Sequence, residues 1–220
     1  MIRRMLFRLA LPLALVVMTP CALMAQDAQP ELAHLHKFAD RMASLKSMKV
    51  GVKLQVVNQQ NSTTNTYNGT LESRGNAYFF STMGMEIYSD GTTRWQYIPS
   101  VKEVTVTTVD TTSGSPLDNP LSVFAHYREL YKLAYRGAAK EQGKSIHRFH
   151  LYPKDLSSPF SQIHVHITQS DLTPSSITYK GKDGINYTVE ITEFLPDAPV
   201  RESFAFSKKG RGKVKVIDLR

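Results

Sequence analysis

The stretches IHVHITQ (residues 163–169) and INYTVEITEF (residues 185–194) alternate apolar and polar side chains as far as Thr168 and Thr192. Ile163, Val165 and Ile167 fall on one side, with His164, His166 and Thr168 on the other. Ile185, Tyr187, Val189 and Ile191 likewise oppose Asn186, Thr188, Glu190 and Thr192. Period two is the pattern of a strand with one buried face. Working outward, Val50 to Val56 repeats it, and further strand candidates are Thr66 to Glu72, Ala77 to Met83, Met85 to Ser89, Arg94 to Ile98 and Glu103 to Val109. Ile146 to Tyr152, Ser175 to Lys180 and Ser203 to Ser207 complete the set. Turn residues separate the runs at Asp90-Gly91, Gly143-Lys144, Asp171 to Pro174 and Asp183-Gly184. About eleven strands with mainly short connections predict antiparallel meanders.

Two stretches break this rhythm. After Pro30, the residues Leu32, Leu35, Phe38, Met42 and Leu45 recur at spacings of three and four, which predicts an amphipathic helix with one apolar stripe. A shorter helix is expected after Asn119-Pro120, with Leu121, Phe124, Tyr127 and Leu130 in register, beyond a polar loop at Thr111 to Asn119. A long twisted sheet with one apolar face must curl, close or be covered. Two helical stretches can shelter such a face but hardly fill it, so the expected architecture is α+β with an apolar cavity; a sandwich of two packed halves is the alternative.

The N-terminus reads as an export signal. Arg3, Arg4 and Arg8 precede the apolar run Leu9 to Met18, and Ala22 and Ala25 mark a cut before Gln26. The run is too short to span a bilayer. Residues 1–25 are therefore expected to be a signal peptide and residues 26–220 a single exported domain. The one cysteine, Cys21, then leaves with the signal, and with it disulfide, thiolate and cysteine-metal chemistry; a lipidated Cys21 is the alternative. The formal charge of +8 falls to about +5 on cleavage, with the excess at Lys208, Lys209, Arg211, Lys213, Lys215 and Arg220. Export makes nucleic acid an unsuitable partner for this basic tail, which is read as a solvated strand face.

Motifs for catalysis are missing from the sequence: it holds no nucleophile elbow, zinc-protease helix, phosphate loop or dinucleotide fingerprint. His34/His36 on a helix do not face each other, whereas His164/His166 on a strand do, but neither pair has further ligands nearby in sequence. No enzyme activity, catalytic residue, metal or cofactor is expected. The triplets beginning at Asn61, Asn68 and Asn186 match the glycosylation pattern by chance.

The run Ile87 to Val106, IYSDGTTRWQYIPSVKEVTV, resembles the periplasmic outer-membrane lipoprotein carriers, the LolA family. The matching residues are Ser89, Asp90, Gly91, Trp95, Tyr97, Pro99, Glu103 and Val104; Ile98 departs from the usual polar residue. Asn119-Pro120-Leu121 resembles the start of the family's lid helix, and Phe149 to Lys154 resembles its Phe-x-Leu-x-Pro-Lys strand. The resemblance implies an unclosed antiparallel β-barrel with a helical lid over a hydrophobic cavity. It implies a monomeric periplasmic carrier that takes acylated lipoproteins from an inner-membrane ABC transporter to an outer-membrane acceptor. Another apolar ligand, or a lipid-anchored acceptor role, are the alternatives. The cavity wall is expected to comprise Phe38, Met42, Phe79, Trp95, Tyr97, Val104, Val106, Leu121, Phe124, Phe149, Ile163, Val165 and Tyr187. Arg74 stands where the family has its lid-tethering arginine, though Gly75 replaces the following proline. Intact mass of the exported protein should correspond to a chain starting near Gln26; diacylglycerol on Cys21 would instead place it on a membrane.

Overall fold

The computed structural model describes residues 30–109, 122–124 and 126–220. The expected signal peptide with Cys21, most of the polar loop, and Asn119-Pro120-Leu121 lie outside them. A helix α1 (Leu32–Ser44) precedes six strands: β1 (Met48–Asn58), β2 (Thr63–Arg74), β3 (Ala77–Thr82), β4 (Met85–Ser89), β5 (Thr93–Ile98) and β6 (Glu103–Thr108). A 3-10 turn (Ser122–Phe124) and the short α2 (Tyr127–Leu130) lead into β7 (Tyr131–Glu141), β8 (Lys144–Pro153), β9 (Phe160–Thr168), β10 (Pro174–Gly181), β11 (Ile185–Pro196) and β12 (Lys215–Asp218). All 12 strands form one unclosed sheet in the order β12-β6-β5-β4-β3-β2-β1-β11-β10-β9-β8-β7.

Two meanders are thus joined by the long antiparallel ladder of β1 with β11. The chain leaves β6 near one edge and re-enters at the opposite edge, β7, and the side chains of Val123, Phe124 and Tyr127 on this crossover enter the same core as α1. The turns form as the sequence predicts: the Asp90 carboxylate accepts the amides of Thr92 and Thr93 at 2.9 and 2.8 Å, and that of Asp183 accepts Ile185 N at 2.9 Å.

Three elements depart from expectation. Strand β7 is not among the expected strands: Tyr131, Leu133 and Tyr135 alternate with Lys132, Ala134 and Arg136, but the pattern stops where the pairing slips between Tyr135 and Ala138 at Gly137, whose φ of +85° suits glycine. The predicted strand Ser203 to Ser207 is irregular backbone, and the edge strand β12, parallel to β6, forms further on within the basic tail. Lys215 there pairs with Glu103 at 2.8 Å, so part of that tail is fastened rather than solvated.

Register carries side-chain facing from strand to strand, because directly paired residues point to the same side. Val50, Leu71, Phe80 and Ile87 are successive partners across β1 to β4, and all lie under α1 in the main core. Gly69, opposite Val52, is required by crowding: a Cβ there would sit 2.6 Å from the Ser81 carbonyl oxygen and 2.9 Å from Val52 Cγ2. On the other face, His150 and His164 stack across β8 and β9 at 3.8 Å with rings 4° apart. Burial, followed by the charges of His150, Lys180, His166 and Arg136, pushes His164 down to about 4.

Replacing Gly69 with Ala should cost about 1–3 kcal/mol in urea unfolding, because the obstructing atom is backbone and cannot swing aside. Stability should be level above about pH 7 and fall between roughly pH 6.5 and 4, since the unfolded chain takes up the His164 proton first. His164→Gln should flatten that part of the profile when unfolding midpoints are compared across pH.

Candidate functional site

The largest apolar surface of the sheet is the face beneath α1. Strands β1 and β11 contribute Val50, Val52, Leu54 and Val189, with Val56, Tyr187 and Ile191 partly buried beside them. Strand β10 adds Ile177 and Tyr179, β9 adds Ile163, Val165 and Ile167, and β8 adds Phe149 and Leu151. From above, α1 presents Leu32, Leu35, Phe38 and Ala39, with Met42 at the margin. Phe38 meets Phe124 of the crossover edge-on, with centroids 4.7 Å apart and planes at 82°. The helix forms its stripe as its spacing predicts, and the stripe lies on the apolar side of β1 because only residues 45–47 separate the two elements.

Of the expected wall residues, Phe38, Met42, Phe124, Phe149, Ile163, Val165 and Tyr187 are gathered here; Leu121 lies outside the described residues. Phe79, Trp95, Tyr97, Val104 and Val106 are corrected to the opposite face. Ile87 pairs with Gln96, which turns Gln96 toward the α1 side and Trp95 and Tyr97 away from it. Tyr97 pairs with Val104, Trp95 with Val106, and Phe79 with Tyr88, so all five share the outer side. On the α1 side, β5 and β6 carry Arg94, Gln96, Ile98, Glu103, Thr105 and Thr107, none of which joins the main core, and the buried apolar face therefore ends at β4.

The outer aromatic residues have a cover of their own. The segment after β11 brings the Arg201 guanidinium over Phe79 at 3.3 Å and Arg211 over Tyr97 at 4.6 Å, with Phe206 against Tyr88 and Tyr97. Arg211 also pairs with Glu86 at 2.8 Å and donates to Tyr88 Oη at 2.7 Å. Arg201 donates its Nε and its backbone amide to Glu72 at 3.2 and 3.1 Å. Burial raises the Glu72 pKa, but the hydrogen bonds and charge of Arg201 outweigh it and hold the carboxyl below its usual range. Arg74 belongs to this second cover: it donates to the Glu202 carbonyl at 2.7 Å and lies 5.5 Å from the Phe204 ring. The lid-tether role is therefore corrected, because Arg74 shares the outward parity of Glu72 on β2 and reaches the C-terminal segment instead of α1.

Polar contacts hold α1 in place. His34 stacks on His147 of β8 at 4.1 Å, and His147 shares a 3.1 Å hydrogen bond with Tyr135 Oη. His36 shares a 2.6 Å hydrogen bond with Tyr127 Oη, and Arg41 donates to the Asp171 carbonyl. Burial, then the neighbouring His34, lowers the His147 pKa. Burial also pushes the phenol of Tyr179 far up, so it is neutral at any physiological pH. Sequence reasoning misses these α1 contacts; the only signal is His34 lying one helical position off the apolar stripe. Among the described residues no group of three or more His, Cys, Asp or Glu is placed to hold a metal ion. No helix among them is long and apolar enough to cross a membrane.

No curated protein matches the chain by sequence. In fold it is similar to an uncharacterised conserved protein from Thermus thermophilus, at 8% identity and a TM-score of 0.57, covering 86% of this chain and 99% of that one. A putative outer membrane lipoprotein-sorting protein domain from Vibrio parahaemolyticus matches at 12% identity and a TM-score of 0.46, covering 78% and 94%. The lipoprotein LppX of Mycobacterium tuberculosis matches at 12% and 0.46, covering 78% and 97%. The family model described as outer membrane lipoprotein carrier protein LolA matches residues 55–207, from within β1 to the segment that covers the outer face. That span takes in β2 to β11 and the crossover, beginning after α1 and Leu54, and the chain belongs to the LolA lipoprotein carrier family.

Proposed function

We propose that this protein is a periplasmic carrier that binds the acyl chains of lipoproteins against the apolar sheet face and moves them from the inner to the outer membrane. The observation that supports this most is the continuity of that face from β4 through β8 under α1 and the crossover residues Val123, Phe124 and Tyr127. An inner-membrane ABC transporter would load it and an outer-membrane receptor, or the membrane itself, would accept the cargo. No catalytic step is required of it, in keeping with a family of carriers.

Magnitudes make exchange of helix for cargo feasible. Exposing Leu32, Leu35 and Phe38 would cost about 6 kcal/mol. Acyl methylenes contribute about 0.8 kcal/mol each, so roughly eight of them offset the displaced helix. Several long chains exceed this and favour the loaded state, while the returning helix opposes them and assists release. A short single chain would not bind.

A hydrophobic fluorescent probe should bind the protein and be displaced by an acylated peptide but not by its unacylated form. Ile163→Glu, and Tyr187→Glu at the less buried margin, should each weaken binding on the order of tenfold or more, because a lone carboxylate facing apolar surface loses hydration without a partner. Folded variants that bind as well as wild type would remove this face from the function. Mass spectrometry of lipid extracted from the purified protein would reveal a different apolar ligand.

A further inference from the structure

The sheet side opposite α1 is not uniform. Over β3 to β6 it is covered by the C-terminal segment; over β7 to β10 it is buried at one end, at Ile146 and Thr168, and no described contact covers the rows that carry Lys132, His150 and Lys180. Register places Lys132, Tyr152, Gln162 and Lys180 in one outward row, since they alternate with the core residues Leu133, Leu151, Ile163 and Tyr179. Two rows further along, Arg148 lies opposite His166, and the bulged Arg136 reaches the same side, donating to Tyr152 Oη at 2.6 Å and to His150 Nδ1 at 3.3 Å. His150 and His164 lie between these rows.

The charge on this face is unbalanced. Its carboxylates are already engaged, Glu141 by His166 at 2.9 Å and Glu190 by Lys53 at 3.2 Å. Lys132, Arg136, Arg148 and Lys180 have no carboxylate partner among the described residues, and Arg148 Nε donates to nothing. These cations are spread over four adjacent strands, about 14 Å at ordinary strand spacing. One small anion cannot reach them all; a plane of repeated anions can.

The rim of the same face carries a second feature. Leu156, in the turn between β8 and β9, is 87% exposed. Lys182 Nζ donates to its carbonyl at 2.6 Å, Lys154 stands two residues before it, and Asp155 is folded back onto Ser157 at 2.8 Å. Leu130, 40% exposed, is joined to this turn by the 2.8 Å bond from Lys154 N to its carbonyl. Exposed leucines flanked by lysines suit the boundary between headgroups and acyl chains, where the ammonium stays hydrated and the apolar side chain is buried.

We propose that the outer face of β7 to β10, with the Leu156 turn at its rim, docks on the headgroup plane of an anionic phospholipid bilayer. This goes beyond the carrier reading, because it uses the opposite side of the sheet from the apolar face. It would hold the protein at a membrane surface with the α1 side turned away from the plane of the sheet contact.

Co-sedimentation with phosphatidylglycerol/phosphatidylcholine vesicles at low salt tests it, with pure phosphatidylcholine vesicles, inorganic phosphate and polyglutamate as the other arms. Wild type should bind the anionic vesicles, release at high salt and ignore the zwitterionic ones. The triple variant Lys132→Gln, Arg136→Gln, Lys180→Gln should bind on the order of a hundredfold more weakly, since each cation near an anionic surface contributes about fivefold. Leu156→Gln should weaken vesicle binding several-fold while leaving the salt dependence intact. Thermal unfolding and hydrophobic-probe binding should be unchanged in both variants, which separates failure here from failure of the carrier reading. Undiminished vesicle binding by the triple variant would overturn the proposal. Binding to polyglutamate without binding to vesicles would also overturn it, and would assign the face to an acidic protein.

Discussion

The ladder between β1 and β11 joins two meanders that would otherwise be separate sheets. It runs from Met48 opposite Pro196 to Asn58 opposite Ile185, with one irregularity between Gly51 and Val52. At its lower end the short connection from α1 to β1 is bound to the chain leaving β11: Lys46 N donates to Asp197 Oδ1 at 2.9 Å, Asp197 N to the Ser47 carbonyl at 2.7 Å, and Ser47 Oγ to the Ala198 carbonyl at 2.7 Å. The same few residues therefore set the strand seam, the direction in which α1 leaves it, and the point from which the C-terminal segment departs to the other side. Both covers of the sheet are aimed from one place.

Those two covers are chemically unlike. Helix α1 contributes an apolar stripe, and its polar attachments are a histidine stack, a Tyr127–His36 hydrogen bond and one arginine-to-carbonyl bond. The C-terminal segment contributes cations set over aromatic rings and paired to Glu72 and Glu86. Breaking one member of such a partly buried charge pair leaves the other unpaired, which is costly. Apolar burial is non-directional and can be exchanged for another apolar body of similar size. The proposed carrier function asks for such a pair, with one cover fixed and the other exchangeable.

The positive charge is divided by the same logic. Arg201 and Arg211 are absorbed into the outer aromatic cluster and Lys215 into the edge pairing. Lys132, Arg136, Arg148 and Lys180 have no acidic partner among the described residues, and burial, followed by the charges of His150, Lys180, His166 and Arg136, keeps the His164 ring neutral.

Much of this was present in the residues alone. Alternation at Ile163 to Ile167 and Ile185 to Ile191, the spacing of Leu32, Leu35 and Phe38, and turn pairs such as Asp90-Gly91 specify strands, helix and hairpins locally, because each depends on neighbours a few positions away. Hence the sheet class, the family resemblance and the core members Phe149, Ile163 and Val165 were legible. Period two, however, distinguishes two sides of a strand without saying which side is the inner one. Trp95, Tyr97, Val104 and Val106 alternate as cleanly as Val165 does, yet they face the C-terminal segment. That assignment passes through Ile87 opposite Gln96, a pairing set by hairpin register. Strand β7 alternates only from Tyr131 to Arg136, before the bulge at Gly137, and β12 has four residues, paired among the described residues with β6. Which face an aromatic strand buries, and what covers it, is decided by contacts between residues far apart in the chain, and so it became definite only in the tertiary structure.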